Sequence, residues 1–175
     1  MKAENRDGYI LLHNGKNHNC FGCSTKNSSG LQMEFYSTEK RDSVVSWLTV
    51  PDHLSGWSNI VHGGIISTIL DEIMGWAALI ILKKLVVSKS ITVDFIKPVI
   101  IGKKIRAEGT IGKIISEREA VLQGCIYDDN SEIYARSSGL FSLFSLEGIR
   151  KTGFVDLKML GDMEQIMNMS LTREG

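Results

Sequence analysis

The chain has 175 residues, with 20 Lys+Arg balanced by 20 Asp+Glu and no net charge. A chain this long can bury a core without disulfides or metals, and its charge balance argues against a general electrostatic attraction to nucleic acid or an anionic membrane. Cys20, Cys23 and Cys125 are an odd, sparse set, a poor disulfide framework. They point to reduced thiols in a cytoplasmic protein.

Residues 1–7 are polar and lack the apolar run of a signal peptide. Residues 1–30 are rich in Asn, Gly, Ser and His and read as an irregular lead-in. Residues 31–38 alternate Leu31, Met33 and Phe35 against Gln32, Glu34 and Tyr36, a strand pattern. Residues 43–50 are β-branched and aromatic and stop at Pro51, so the two segments predict a hairpin through residues 39–42. A loop over 51–61 follows.

From Gly63 to about Leu82 the period becomes helical, with Ile65, Ile69, Ile73, Trp76 and Ile80 at spacings of three and four. The most apolar part, residues 73–82, is about ten residues, short of the roughly 20 that span a bilayer. Four strand-like segments follow, over 86–98, 104–115, 118–127 and 133–144, the last two joined by a turn at residues 128–131. Leu160, Met163 and Met167 predict a short amphipathic helix over 155–169, within a tail of residues 147–175. A helix apolar on most faces cannot lie on a surface. The fold class expected for the domain over 31–146 is therefore α+β, an antiparallel sheet curled around one long helix.

Chemistry concentrates at the start of that helix. Gly63-Gly64 lets a ligand approach the backbone without a Cβ in the way. The first helical amides have no internal acceptor and sit at the positive end of the helix dipole. One such donor to a developing oxyanion is worth about 2.7–4 kcal/mol. A tight turn with nothing bound is the plainer alternative.

Asp71 lies deep in the apolar helix, where a carboxylate is costly unless paired or employed. Its face carries Ser67, Thr68, Gly75 and Ala78, a stripe of small residues that lets a chain or ligand come close. Glu72, about 100° around the axis, reads as a surface or supporting group. Gly64 and Asp71 are seven residues apart, about 10 Å along a helix, whereas a base and an oxyanion donor must meet around one carbon. Two antiparallel helices across a two-fold axis satisfy both demands, so a homodimer with shared sites is expected.

Val61-His62-Gly63-Gly64 followed by Asp71-Glu72 resembles the His-Gly-Gly … Asp signature of hotdog-fold acyl-CoA thioesterases. The branch is the one that includes phenylacetic-acid-pathway thioesterases and the human thioesterase-superfamily proteins. Cys20-Phe21-Gly22-Cys23 with Gly30-Leu31, residues 93–98 with Gly102, and residues 134–141 resemble further landmarks of these proteins, so the likeness covers about residues 18–145. The resemblance implies a hotdog fold and hydrolysis of an acyl-CoA or similar thioester, with no cofactor and no metal, by a homodimer or homotetramer. It implies that Asp71 is the catalytic carboxylate and that Gly64, with Gly63 beside it, is the oxyanion-hole glycine. His62 is implied to orient the thioester or the loop, and Ser88 to help position the water. An assisting Asn found in some relatives six residues before the His is replaced here by Gly56.

Two other readings stay open. One is a non-catalytic acyl-thioester-binding module on the same fold. The other is a zinc or redox protein built on Cys20 and Cys23, against which stands the lack of a second pair of ligands. Trp57, in the loop before His62, is a candidate to line an acyl pocket.

Overall fold

One long helix organises the fold of this computed structural model, which describes residues 8–169. The polar run over 1–7 and the end of the tail, 170–175, lie outside the described residues. Helix α1 spans Gly63–Ala77 and buries Ile66, Ile69, Leu70, Ile73, Met74, Trp76 and Ala77. It widens into a π-turn over Ala78–Leu82 and stops at Lys83, which takes a left-handed conformation with φ 56°. Gly63–Leu82 is long and apolar enough to cross a membrane by length and composition alone. Here it is the core helix, packed into the concave face of a sheet.

The sheet has seven strands: β1 (Ile10–Leu11), β2 (Tyr36–Ser37), β3 (Val44–Thr49), β4 (Leu85–Phe95), β5 (Lys104–Ser116), β6 (Glu119–Tyr127) and β7 (Ile133–Phe144). Their order is β1-β2-β3-β5-β6-β7-β4, and every pairing is antiparallel. The expected helix wrapped by an antiparallel sheet is therefore observed. Alternation explains which face turns inward: Ile105, Ala107 and Gly109 on β5, and Ala120, Leu122, Gly124 and Ile126 on β6, point toward the helix and are buried.

A close approach of helix and sheet falls on a glycine. A Cβ at Gly109 would lie 2.3 Å from the Ile73 carbonyl oxygen, a backbone atom that cannot move aside alone. Gly109→Ala is therefore expected to destabilise the fold by about 1–3 kcal/mol through overpacking, read as a lower denaturant midpoint. An unchanged midpoint would mean that α1 can shift on the sheet at no cost.

The first expected strand is shorter than its pattern. Met33 and Phe35 are buried, as the alternation requires, but only Tyr36–Ser37 forms ladder pairs. The reason lies in the backbone bonds: the Leu31 and Met33 amides donate to the Phe21 and Gly22 carbonyls of the preceding turn. Gln32 at φ 48° interrupts the extended run. That same turn belongs to the lead-in, which also contributes β1 and the buried Leu12.

The tail adds two helices. The unexpected one, α2 (Leu146–Thr152), is capped by the Ser145 side chain and ended by Gly153 at φ 70°. The helix expected over 155–169 is α3 (Leu157–Asn168), whose N-terminal amides at Lys158 and Met159 donate to Asp156. Asp162 on α3 accepts from the Lys16 and Asn17 amides at 2.8 and 2.9 Å, tying α3 to the lead-in. Those bonds hold the Asp162 carboxyl below its ordinary range.

Candidate active site

His62 precedes α1 in extended conformation, and its Nδ1 accepts the Gly64 amide hydrogen at 2.9 Å. This is an N-cap made by an imidazole, and it requires that Nδ1 be unprotonated. Gly63 and Gly64 are exposed. A Cβ at Gly63 would meet only the Phe95 ring, at 3.6 Å, and one at Gly64 only the His62 ring, at 3.1 Å. The helix entrance is thus open apart from the His62 ring. Ser67 and Thr68 donate their hydroxyls back to the Gly63 and Gly64 carbonyls, at 3.1 and 2.9 Å, so the small stripe satisfies its own polar groups.

Asp71 sits two turns further along, half-buried. Ser88 Oγ donates to Asp71 Oδ1 at 2.6 Å. Ser88 lies on β4 where the register to β7 shifts between Ser88 and Ser90, an irregularity of the kind that re-aims a side chain. Both residues line a cleft of about 280 Å³ whose walls include Trp76, Leu79, Val86 and Phe141, with Met159 and Met163 contributed by α3. A larger concavity of about 790 Å³ near the β2–β3 turn is shallow and lies away from these groups. The narrower apolar cleft with a few convergent polar groups is the better ligand site.

The structure therefore brings Asp71 and Ser88 together and keeps His62, Gly63 and Gly64 apart from them. None of the latter three lines the Asp71 cleft. Within one chain the continuous helix separates the two halves by about 10 Å. Trp57 does not line the cleft either; it is 88% exposed. The part of the cleft built by α3 was carried in the sequence only by the helical spacing of Leu160, Met163 and Met167.

Of the two expectations for Glu72, a surface or a supporting group, the first is overturned. Its side chain turns inward toward the Cys20–Cys23 turn, with Cys20 Sγ 3.5 Å from Oε2 and the Trp76 indole donating to Oε1 at 3.3 Å. Burial raises the Glu72 carboxyl to about 7. The Cys23 side chain, hydrogen-bonded to Cys20, lowers the Cys20 thiol to about 5, and the same bond, together with burial, pushes the Cys23 thiol up.

An antiparallel sheet wrapped round one central helix is the arrangement of the hotdog class of folds. Residues 58–131 match the family model of the thioesterase superfamily. That match spans under half of the chain; the fold itself is the hotdog fold of the solved structures that follow. No functionally curated protein matches it by sequence. Among solved structures, a Haemophilus influenzae thioesterase is similar at 22% identity and TM-score 0.61, over 70% of this chain and 85% of that one. The E. coli PaaI protein of the phenylacetic acid degradation operon is similar at 18% identity and TM-score 0.58, over 66% and 81%. A Streptococcus mutans protein bound to acetyl CoA gives 18% and 0.58, over 65% and 89%. Against a further thioesterase-superfamily structure, at 19% identity and TM-score 0.62, this chain spans 56% of the other's length. At these identities the likeness establishes the fold.

Proposed function

We propose that this protein hydrolyses an acyl thioester of the acyl-CoA class to a free acid and a thiol. The observation that carries the proposal is the Asp71 carboxylate, held at one oxygen by Ser88 in the wall of an apolar cleft. Asp71 is the general base: it takes a proton from water as the water oxygen adds to the thioester carbonyl. The tetrahedral oxyanion then collapses and expels the thiolate. A thiolate is a good leaving group, so a carboxylate and an oxyanion donor suffice without a Ser-His-Asp triad.

The oxyanion donor in this proposal is the Gly64 amide of a second subunit. Strand β4 supports such pairing: it is an eleven-residue strand at the sheet edge, and Val87, Phe95 and neighbouring Ile96 are exposed. A long, partly apolar edge is a ready template for another strand. Because His62 holds the Gly64 amide, the substrate carbonyl must displace the imidazole or share the donor with it. The choice of coenzyme A thioesters draws support from the acetyl CoA bound to the S. mutans relative, and the PaaI-like branch from the E. coli one.

The capped Gly64 amide also favours a second reading, a module that binds acyl thioesters without cleaving them. Turnover decides between the two. The purified full chain is expected to release thiol from at least one member of a panel of acyl-CoA substrates of graded chain length, followed with a thiol reagent. Binding of the same panel with no thiol release would establish the module instead.

A further inference from the structure

The turn of Cys20 and Cys23 is built to meet α1 at one residue. A Cβ at Gly22 would stand 2.4 Å from Glu72 Oε2, so a side chain there would push the carboxylate aside. The turn is fixed from outside as well: Asn14 Nδ2 donates to the Cys23 carbonyl at 2.8 Å, and the Met33 amide to Gly22 at 2.9 Å. These bonds bring two sulfurs and a carboxylate oxygen, from segments about fifty residues apart, to within 4.8 Å of one another.

The Cys20–Glu72 spacing is that of two ligands on one metal. A tetrahedral zinc with ordinary bond lengths places sulfur and oxygen ligands about 3.5–3.6 Å apart, and two sulfurs about 3.8 Å apart. Cys20 Sγ lies 3.5 Å from Glu72 Oε2 and 3.8 Å from Oε1. Cys-x-x-Cys is also the common half-site of zinc proteins, and Glu72 is the further ligand that the sequence did not reveal. Charge makes the same case. Among the described residues Glu72 has no ion pair, its partners being Cys20, Cys23 and the Trp76 indole. A largely buried carboxylate facing two thiols is stabilised by a divalent cation more than by any neutral neighbour.

We propose that Cys20, Cys23 and Glu72 form a zinc-binding site that fastens the N-terminal turn to α1. Both thiols lose their protons to solvent as the two Zn–S bonds form, and a Glu72 oxygen supplies the third ligand. All three residues also line the Asp71 cleft, so a water from the cleft completes the tetrahedron. The proposal does not depend on thioester hydrolysis.

The test uses the full chain purified under reductant. Elemental analysis after gel filtration is expected to find about one zinc per chain, the stoichiometry of a single tetrahedral site. Zinc-free protein titrated with Co²⁺ is expected to develop thiolate-to-cobalt charge-transfer absorption. Cys20→Ser and Cys23→Ser lose both signals, Glu72→Gln weakens them, and Cys125→Ser keeps them. Wild-type protein with neither bound zinc nor a cobalt–thiolate band overturns the proposal, as does equal loss on Cys125→Ser. The wild-type cobalt titration remains decisive if a cysteine variant fails to fold. Zinc binding without turnover would remove the hydrolase reading and leave this one standing; turnover by a chain that binds neither metal would do the reverse.

Discussion

Under the proposed mechanism, Asp71→Asn is expected to lower kcat for acyl-CoA hydrolysis by about 10²- to 10⁴-fold, the range for losing a positioned acid–base group. The substitution changes little else. Asn has the same shape and can still accept the Ser88 hydroxyl, and the site is half-buried at the wall of a cleft instead of packed in hydrocarbon. KM and the thermal midpoint should therefore move little, and a steady-state assay beside a melting curve separates lost chemistry from lost fold. Full turnover by the variant would remove Asp71 from the mechanism.

The second large effect is recovery of activity by two inactive chains. Gly64→Pro removes an amide donor near the start of α1, where proline is better tolerated than in a helix interior. Alone it is expected to be inactive, as is Asp71→Asn. In a mixed dimer the Gly64→Pro chain still brings Asp71 and the Asp71→Asn chain still brings Gly64, so one of the two shared sites is whole. With free exchange, equimolar mixing should restore about a quarter of wild-type activity, because half the dimers are mixed and each has one working site. No recovery, with exchange shown by labelled subunits and both variants folded, would place the entire site within one chain.

Much of this molecule could be read from periodicity. The helix from Gly63 to Leu82 and the four strands after it fall where the 3.6 and 2.0 repeats put them, because each buries one continuous face. The beginning of the chain was harder to read. Met33 and Phe35 do face the core, but their segment spends its backbone bonds on a distant turn, a pairing that no local pattern encodes. The meeting of Asp71 with Ser88 was available only through the family resemblance, since it depends on how β4 lies along α1. The choice between a surface and a supporting role for Glu72 was hidden for a related reason. Its position on the helix wheel was right, but the Cys20–Cys23 turn covers that face, and coverage by a remote segment leaves no mark on the helix's own sequence.

The cleft has an unequal division of labour. Asp71 and Ser88 stand on α1 and β4, inside the wrapped sheet, while Met159 and Met163 reach it from α3, whose link to the lead-in runs through Asp162. Methionine is unbranched and readily re-forms its contour. A sequence can therefore vary in α3, and reshape that wall of the groove, without disturbing the carboxylate and hydroxyl. In the proposed hydrolase, gauge and blade would then be separate parts of the tool.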